Sequence, residues 1–585
     1  MTTRQDRETT RLSKSQSPQA PGAPMVMRQR LKNEHGPVTR RKILAAAASG
    51  IAGVILGERL LAPLRAEAQP RGLLPWLSGD GGRTYAPETG SGSGGGGTTG
   101  AVVDLNKMQL PSVGSLGDYL WLTPTKLGGG AQVQDLASGK TMAWIEYWNY
   151  GDSCPIAHHL AAFPAPDPRR GFEFVNTTQG GQNVLIYGIP SLIQEHGMLD
   201  PVWGQGNQVY RVGFDGQQMN LLENIAETTG IGVGVHTVIY PDATGFSGSD
   251  GQKDIAAFFT RATGYGKTQV QAAFRFDWYG RETDGTLEQN FFGGGRVRIT
   301  KLVAAEETGK YDYRGTKGNK LDWEMVPMGE YLAYTGQLPG DAVRNLTGAD
   351  NTVHHPGNRF SLVTLRMFAV GIVIDRTTME PVACISSPEG TPKENEPVKK
   401  VADGIWEVQL DKVITSGHEC GFSPDGRWFT MTNNTRQNSM GVFDCSDPDP
   451  RKWKRVTHVK DQGWSGQTPS PFHIAFSIDG SKMFVSELHR KPAKSSILVI
   501  DTSTWRTIKR FDNVGVDCQT MAPSYDGKYV LQIFSRFQRL EGGTFVFRQD
   551  SLEPVGYMPN FGGHHDCVIV PRNNQELVHS RCTTV

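Results

Sequence analysis

The chain has 585 residues, a mass of 64.1 kDa and a formal charge of +1, with 70 glycines and 34 prolines. The near-zero charge argues against a nucleic-acid partner, and the seven widely spaced cysteines make neither a CxxC metal pattern nor a disulfide framework. Beyond the N-terminal region no run of ~18 apolar residues offers a membrane-spanning helix, and the glycine and proline content suits a turn-rich β fold.

Residues 1–30 are polar and rich in Ser, Pro and Gln, the composition of a disordered segment. Thr39-Arg40-Arg41-Lys42-Ile43-Leu44 then precedes a small apolar run from Ala45 to Leu56, and Ala66-Glu67-Ala68 supplies an A-x-A cleavage site. This pattern predicts a twin-arginine export signal over 1–68 and a periplasmic mature protein. A membrane anchor is the competing reading; the short apolar run and the placed cleavage site weigh against it. Residues 69–101 carry Gly90-Ser-Gly-Ser-Gly-Gly-Gly-Gly97 and read as a flexible linker.

Residues 102–585 read as one all-β domain. Strand-length apolar runs include Asn183-Val-Leu-Ile-Tyr187, Val235 to Tyr240, Phe360 to Ile374 and Ile497-Leu-Val-Ile500. One short helix is expected from Asn220 to Thr228. Residues 241–345 have weak strand signals and are the expected home of insertions. The last runs, Cys567-Val-Ile-Val570 and Glu576-Leu-Val-His579, are expected to close the domain against its first strands.

A repeat organises the second half. Ser423-Pro-Asp-Gly426 is a turn signal, since proline presets the backbone, aspartate bonds back to it and glycine supplies positive φ. It returns around Asp479-Gly480 and Asp526-Gly527, so the aspartates recur 54 and then 47 residues apart. Short strands with turns at a period near fifty predict propeller blades, and the expected fold is a seven-bladed β-propeller. In such a ring, residues at one place in each repeat converge on the central channel.

Histidines occupy that place. His418 and His473 precede the first two turns, His236 precedes Pro241-Asp242, His158-His159 precede Pro166-Asp167, and His564-His565 precede Asp566. A single such histidine reads as a capped strand start. Five sets around one channel point to a metal, because crowded imidazoles repel when protonated, and nitrogen donors without thiolates suit copper or zinc, copper on affinity. His196, His354, His355, His458, His489 and His579 lack this context and read as surface or packing residues. Spacing leaves open which member of each histidine pair faces inward, because alternate strand residues face opposite ways.

The export signal, the histidine-bearing strands before Pro-Asp-Gly turns and the Gly562-Gly-His-His-Asp-Cys567 run together resemble the thiocyanate dehydrogenase family, periplasmic copper oxidoreductases related to the propeller domain of nitrous oxide reductase. The resemblance implies a seven-bladed propeller with a multinuclear, three-ion copper cluster in its channel. It implies conversion of thiocyanate and water to cyanate and sulfur, with electrons leaving to an external acceptor such as a c-type cytochrome. By that resemblance His158, His236, Asp350, His418, His473, His564 and His565 are the metal ligands. Lys126 and Glu324 are the non-ligand catalytic residues. The remaining partner expected is a second copy in a homodimer, with no nucleic acid and no membrane span in the mature protein. The chain departs from the family at Asp517-Cys518-Gln519-Thr520, where a further histidine is expected; either Cys518 or Gln519 takes its place. The alternatives are a nitrous-oxide-reductase-like propeller lacking the electron-entry copper domain, and a propeller used as a binding scaffold.

Overall fold

The computed structural model describes residues 100–572 except 114, 126–128, 151–156, 165–170, 179–207, 231–235, 250–255, 262–266, 281–294, 312–348, 366–367, 412–416, 418, 434–436, 461–469, 489–493, 517, 536–541 and 561–565. The export signal, most of the linker, and the predicted strands at 183–187 and 576–579 lie outside these residues. Among the described residues no helix is long and apolar enough to cross a membrane.

Among the described residues the strands form seven sheets. Six share one plan of four antiparallel strands in chain order, the form of a propeller blade. The first of these borrows its innermost strand from the far end of the chain: Val568–Pro571 pairs with Tyr119–Thr125, so the ring is closed as the sequence predicted. The second runs from Ala157–Pro164 to Met219–Asn224, the fourth from Ala349–His354 to Glu380–Ser386, and the fifth from Cys420–Phe422 to Lys454–Val459. The sixth runs from Ser470–Phe476 to Arg506–Val516, where Ala101–Asp104 adds a parallel edge strand; the seventh runs from Cys518–Pro523 to Pro554–Asn560.

The expectation of a seven-bladed propeller is corrected here: among the described residues six blades are found, and the third sheet departs from their plan. The third sheet has seven strands: five from His236–Ile239 to Gly295–Lys301, then Ile405–Leu410 and Val398–Ala402. That last hairpin follows the fourth sheet in sequence and pairs back onto Gly295–Lys301. Part of the region expected to hold insertions, 246–301, therefore supplies four strands. Its charged residues hid them: Arg275 and Asp277 are buried within Gln269–Gly280, where they pair with each other at 2.9 Å. The expected helix is also shorter. Met219–Asn224 is a strand and only Ile225–Thr229 is helical, ended by Gly230 at φ +75°.

Among the described residues seven apolar clusters hold the sheets together, each spanning two neighbouring sheets. One joins the first and second sheets through Leu122, Val133, Phe174 and Tyr210. Another joins the sixth and seventh through Phe484, Phe511, Phe545 and Cys518. Strands packed on both faces read as continuous apolar runs rather than as alternation, and every residue of Phe360–Leu365 is buried. Each buried Phe or Leu contributes roughly 1.5–3 kcal/mol.

The three sequence-identified turns are chemically the same. Ser423 Oγ accepts the Trp428 N–H at 2.9 Å, and the Gly426 N–H donates to the Ser423 carbonyl at 2.8 Å. Ser477 and Ser524 repeat both bonds with Lys482 and Gly480, and with Tyr529 and Gly527. The Pro241-Asp242 turn read from the sequence is a fourth copy, opened by Tyr240, and a fifth, opened by His355, was hidden by its residue types; Ala243 (φ +55°) and Asn358 (φ +64°) stand in the glycine's place.

Candidate metal centre

Five turns of one form fix a common frame for the strands before them. Four residues before the turn opener stand His236, Asn351, Glu419, His473 and Thr520. Five before it stand Val235, Asp350, His418, Phe472 and Gln519. In a regular strand these two sets would face opposite ways. Here the strands are not regular at this point.

Four inner strands carry a β-bulge at the same place, two residues opposite one. His158 and His159 together face Thr177, Asp350 and Asn351 face Thr364, Phe472 and His473 face Ser486, and Gln519 and Thr520 face Ile533. A hydroxyl on the second strand takes the spare backbone N–H of the second bulge residue. Thr177 binds His159 at 3.2 Å, Thr364 binds Asn351 at 3.0 Å, and Ser486 binds His473 at 3.2 Å. Thr432 does the same for Glu419 at 3.1 Å. At the first of these bulges both members of the pair turn to one side, since the His158 and His159 rings stack.

The result is a buried imidazole cluster at the second and third sheets. The donor atoms of His158, His159 and His236 all lie within 4.8 Å of one another. The His158 and His159 rings stack at 4.8 Å, and His236 tilts against His159 at 4.1 Å. His159 is therefore part of the group, which sequence reasoning had left as the undecided partner of His158. Among the described residues the donors are three nitrogens with no thiolate, the composition that suits copper or zinc. Among the described residues, Cys567 belongs to an apolar cluster with Trp121 and Met558, Cys420 to one with Phe422 and Phe429, and Cys518 to one with Phe511 and Phe545. The three histidines fit a metal.

Two buried carboxylates stand beside the histidines. Asp566 Oδ2 lies 3.1 Å from His159 Nδ1 and accepts the Leu160 N–H at 2.9 Å, while its Oδ1 accepts the Cys567 N–H at 2.8 Å. Glu419 Oε1 lies 3.3 Å from His473 Nδ1, and its Oε2 accepts from Asn351 Nδ2 at 3.0 Å. Neither acid was singled out in the sequence. Their only signal was position: each follows directly on a candidate histidine.

Of the other predicted site residues, His473 is buried on the inner strand of the sixth sheet. Asp350 lies in the bulge of the fourth sheet's inner strand. Lys126, Glu324, His418, His564 and His565 lie outside the described residues. At the odd strand start, Cys518 belongs to the apolar core and its Sγ lies 3.9 Å from the Gly515 carbonyl. Gln519, buried at 1 % exposure, holds the bulge position equivalent to Asp350.

No family model matches the chain, and no curated protein matches it in sequence. It is similar to several solved structures. One is dihydro-heme d1 dehydrogenase NirN in complex with DHE, at 14% identity over 80% of this chain and 77% of that one, with a TM-score of 0.40. A protein from Lactobacillus plantarum matches at 8% identity over 77% of this chain and 99% of its own, with a TM-score of 0.45. Hydrazine synthase from Kuenenia stuttgartiensis matches at 16% identity over 37% of this chain, with a TM-score of 0.28; the match spans 50% of that protein's chain.

Proposed function

We propose that this protein is an exported, periplasmic copper oxidoreductase that converts thiocyanate and water to cyanate and sulfur. One observation carries the metal reading: three buried imidazoles whose donor atoms lie within 4.8 Å of one another. Three nitrogen donors held this close together make a set that suits copper or zinc. The substrate rests on the sequence resemblance.

In this reading His158, His159 and His236 hold copper, with Asp350, His418, His473, His564 and His565 completing a multinuclear set. Bound copper supplies a Lewis acid and an electron store. The remaining work falls to side chains. The Lys126 ammonium balances the charge of the bound anion, and Glu324 takes a proton from the attacking water. Thiocyanate and one water give cyanate, one sulfur atom, two protons and two electrons; the electrons leave to a periplasmic acceptor such as a c-type cytochrome.

The test is elemental analysis of the purified protein, followed by an assay of thiocyanate loss and cyanate formation with an artificial electron acceptor. Copper and acceptor-dependent turnover are expected. Zinc alone, or no metal after exposure to copper, removes the redox reading and returns the scaffold.

A further inference from the structure

The two carboxylates beside the histidines form a pattern. Asp566 precedes the inner strand of the first sheet and reaches His159 on the second. Glu419 precedes the inner strand of the fifth sheet and reaches His473 on the sixth. In both cases a carboxylate from one sheet meets Nδ1 of a histidine on the next, at 3.1 and 3.3 Å. All four groups are buried. A carboxylate taken out of water needs compensation, and Asp566 receives it from two backbone N–H groups, Glu419 from an amide.

The chemical consequence concerns the far side of each ring. A carboxylate this close to Nδ1 favours the tautomer that carries its proton there, and so leaves Nε2 as the donor on the far side of the ring. We infer that Asp566 and Glu419 are positioning residues, which hold His159 and His473 with Nε2 as the metal-donor atom. This rests on reading the cluster as a copper centre. The competing account is that both acids are merely ties between neighbouring sheets.

The two accounts differ in a binding measurement. Asp566→Asn and Glu419→Gln, in the whole mature protein, keep side-chain size and remove the charge. Copper affinity is read by competition with a chromophoric chelator. The melting temperature is read with and without copper. The inference expects each variant to bind copper about 10–100-fold more weakly, with a smaller copper-induced rise in melting temperature. A lowered melting temperature without copper, together with unchanged copper affinity, overturns it. Where a neutral variant does not fold, Glu419→Asp decides: it keeps the charge and retracts the carboxylate, so its copper affinity should fall, and unchanged affinity overturns the inference. Wild-type protein that binds no copper sinks the underlying copper reading instead, and is seen before any variant is made.

Discussion

His158 and His159 are consecutive in the chain, yet their rings stack with centroids 4.8 Å apart and planes 15° apart. A regular strand would send them to opposite faces. The bulge opposite Thr177 brings them together, and His236 from the next sheet completes the group. A local irregularity of one strand, set against a regular strand of the next sheet, is thus what builds the candidate centre.

The first consequence is for metal binding. His159→Ala and His236→Ala should each lower copper affinity more than tenfold and leave the propeller folded, at a cost of roughly 1–3 kcal/mol. The measurements are copper per protein, far-ultraviolet circular dichroism and urea unfolding. Unfolding with copper retained by the folded fraction would make these structural histidines instead.

How far the sequence announced this depends on the level. Turns built by Ser, Asp and Gly were legible because each residue has a local reason to be there. The turn at Pro241-Asp242 was legible too, whereas the one opened by His355 was not, since the same backbone is reached there with Asn358 at positive φ. Histidines at strand starts were legible, but their direction was not. The rule of alternation holds only for regular strands, and the bulges depend on hydroxyls such as Thr177 and Ser486 that are distant in sequence. The third sheet was hidden for another reason: its outer hairpin, Val398 to Leu410, arrives after an entire intervening blade.

The turns themselves offer a comparison. Gly426 and Gly527 have the same role and nearly the same φ, +75° and +72°, but different neighbours. A Cβ at 527 meets nothing within 4 Å, whereas one at 426 would lie 2.6 Å from His355 Nε2. His355 cannot simply retreat. Its Nε2 faces the Gly426 carbonyl at 3.1 Å, and its ring stacks on Trp453. Gly527→Ala should cost about 1–2 kcal/mol from the left-handed backbone alone, and Gly426→Ala measurably more. Equal losses in urea unfolding would show that His355 yields freely.

A second histidine makes a prediction about pH. His354 is fully packed between the third and fourth sheets, with Nδ1 2.7 Å from Ser361 Oγ and Nε2 3.0 Å from Ser247 Oγ. Burial, and after it the Arg376 charge, push its pKa down to about 3. The unfolded chain, with an ordinary value near 6.5, binds this proton first as pH falls. Stability from His354 is therefore complete above about pH 6.5 and is lost progressively down to about pH 3, at up to about 1.4 kcal/mol per pH unit. His354→Gln should flatten the acid side of the stability profile relative to wild type. Identical slopes between pH 6.5 and 4 would mean that His354 does not carry the difference.

The last prediction concerns the odd strand start of the seventh sheet. Cys518 packs among Phe511, Met521 and Phe545, while Gln519 and Thr520 fill the bulge. Gln519 thus stands where Asp350 stands in the fourth sheet, five residues before its turn opener, the sequence position that His418 also has. An imidazole there would add a nitrogen donor at a place now held by an amide, a weaker donor for copper. Gln519→His should therefore raise copper per protein and the rate with thiocyanate. Cys518→Ala should do neither, and should instead cost about 1 kcal/mol of stability through lost packing. A loss of copper in Cys518→Ala would mean that its thiol serves the centre. An unchanged Gln519→His would show that the seventh sheet does not contribute to it.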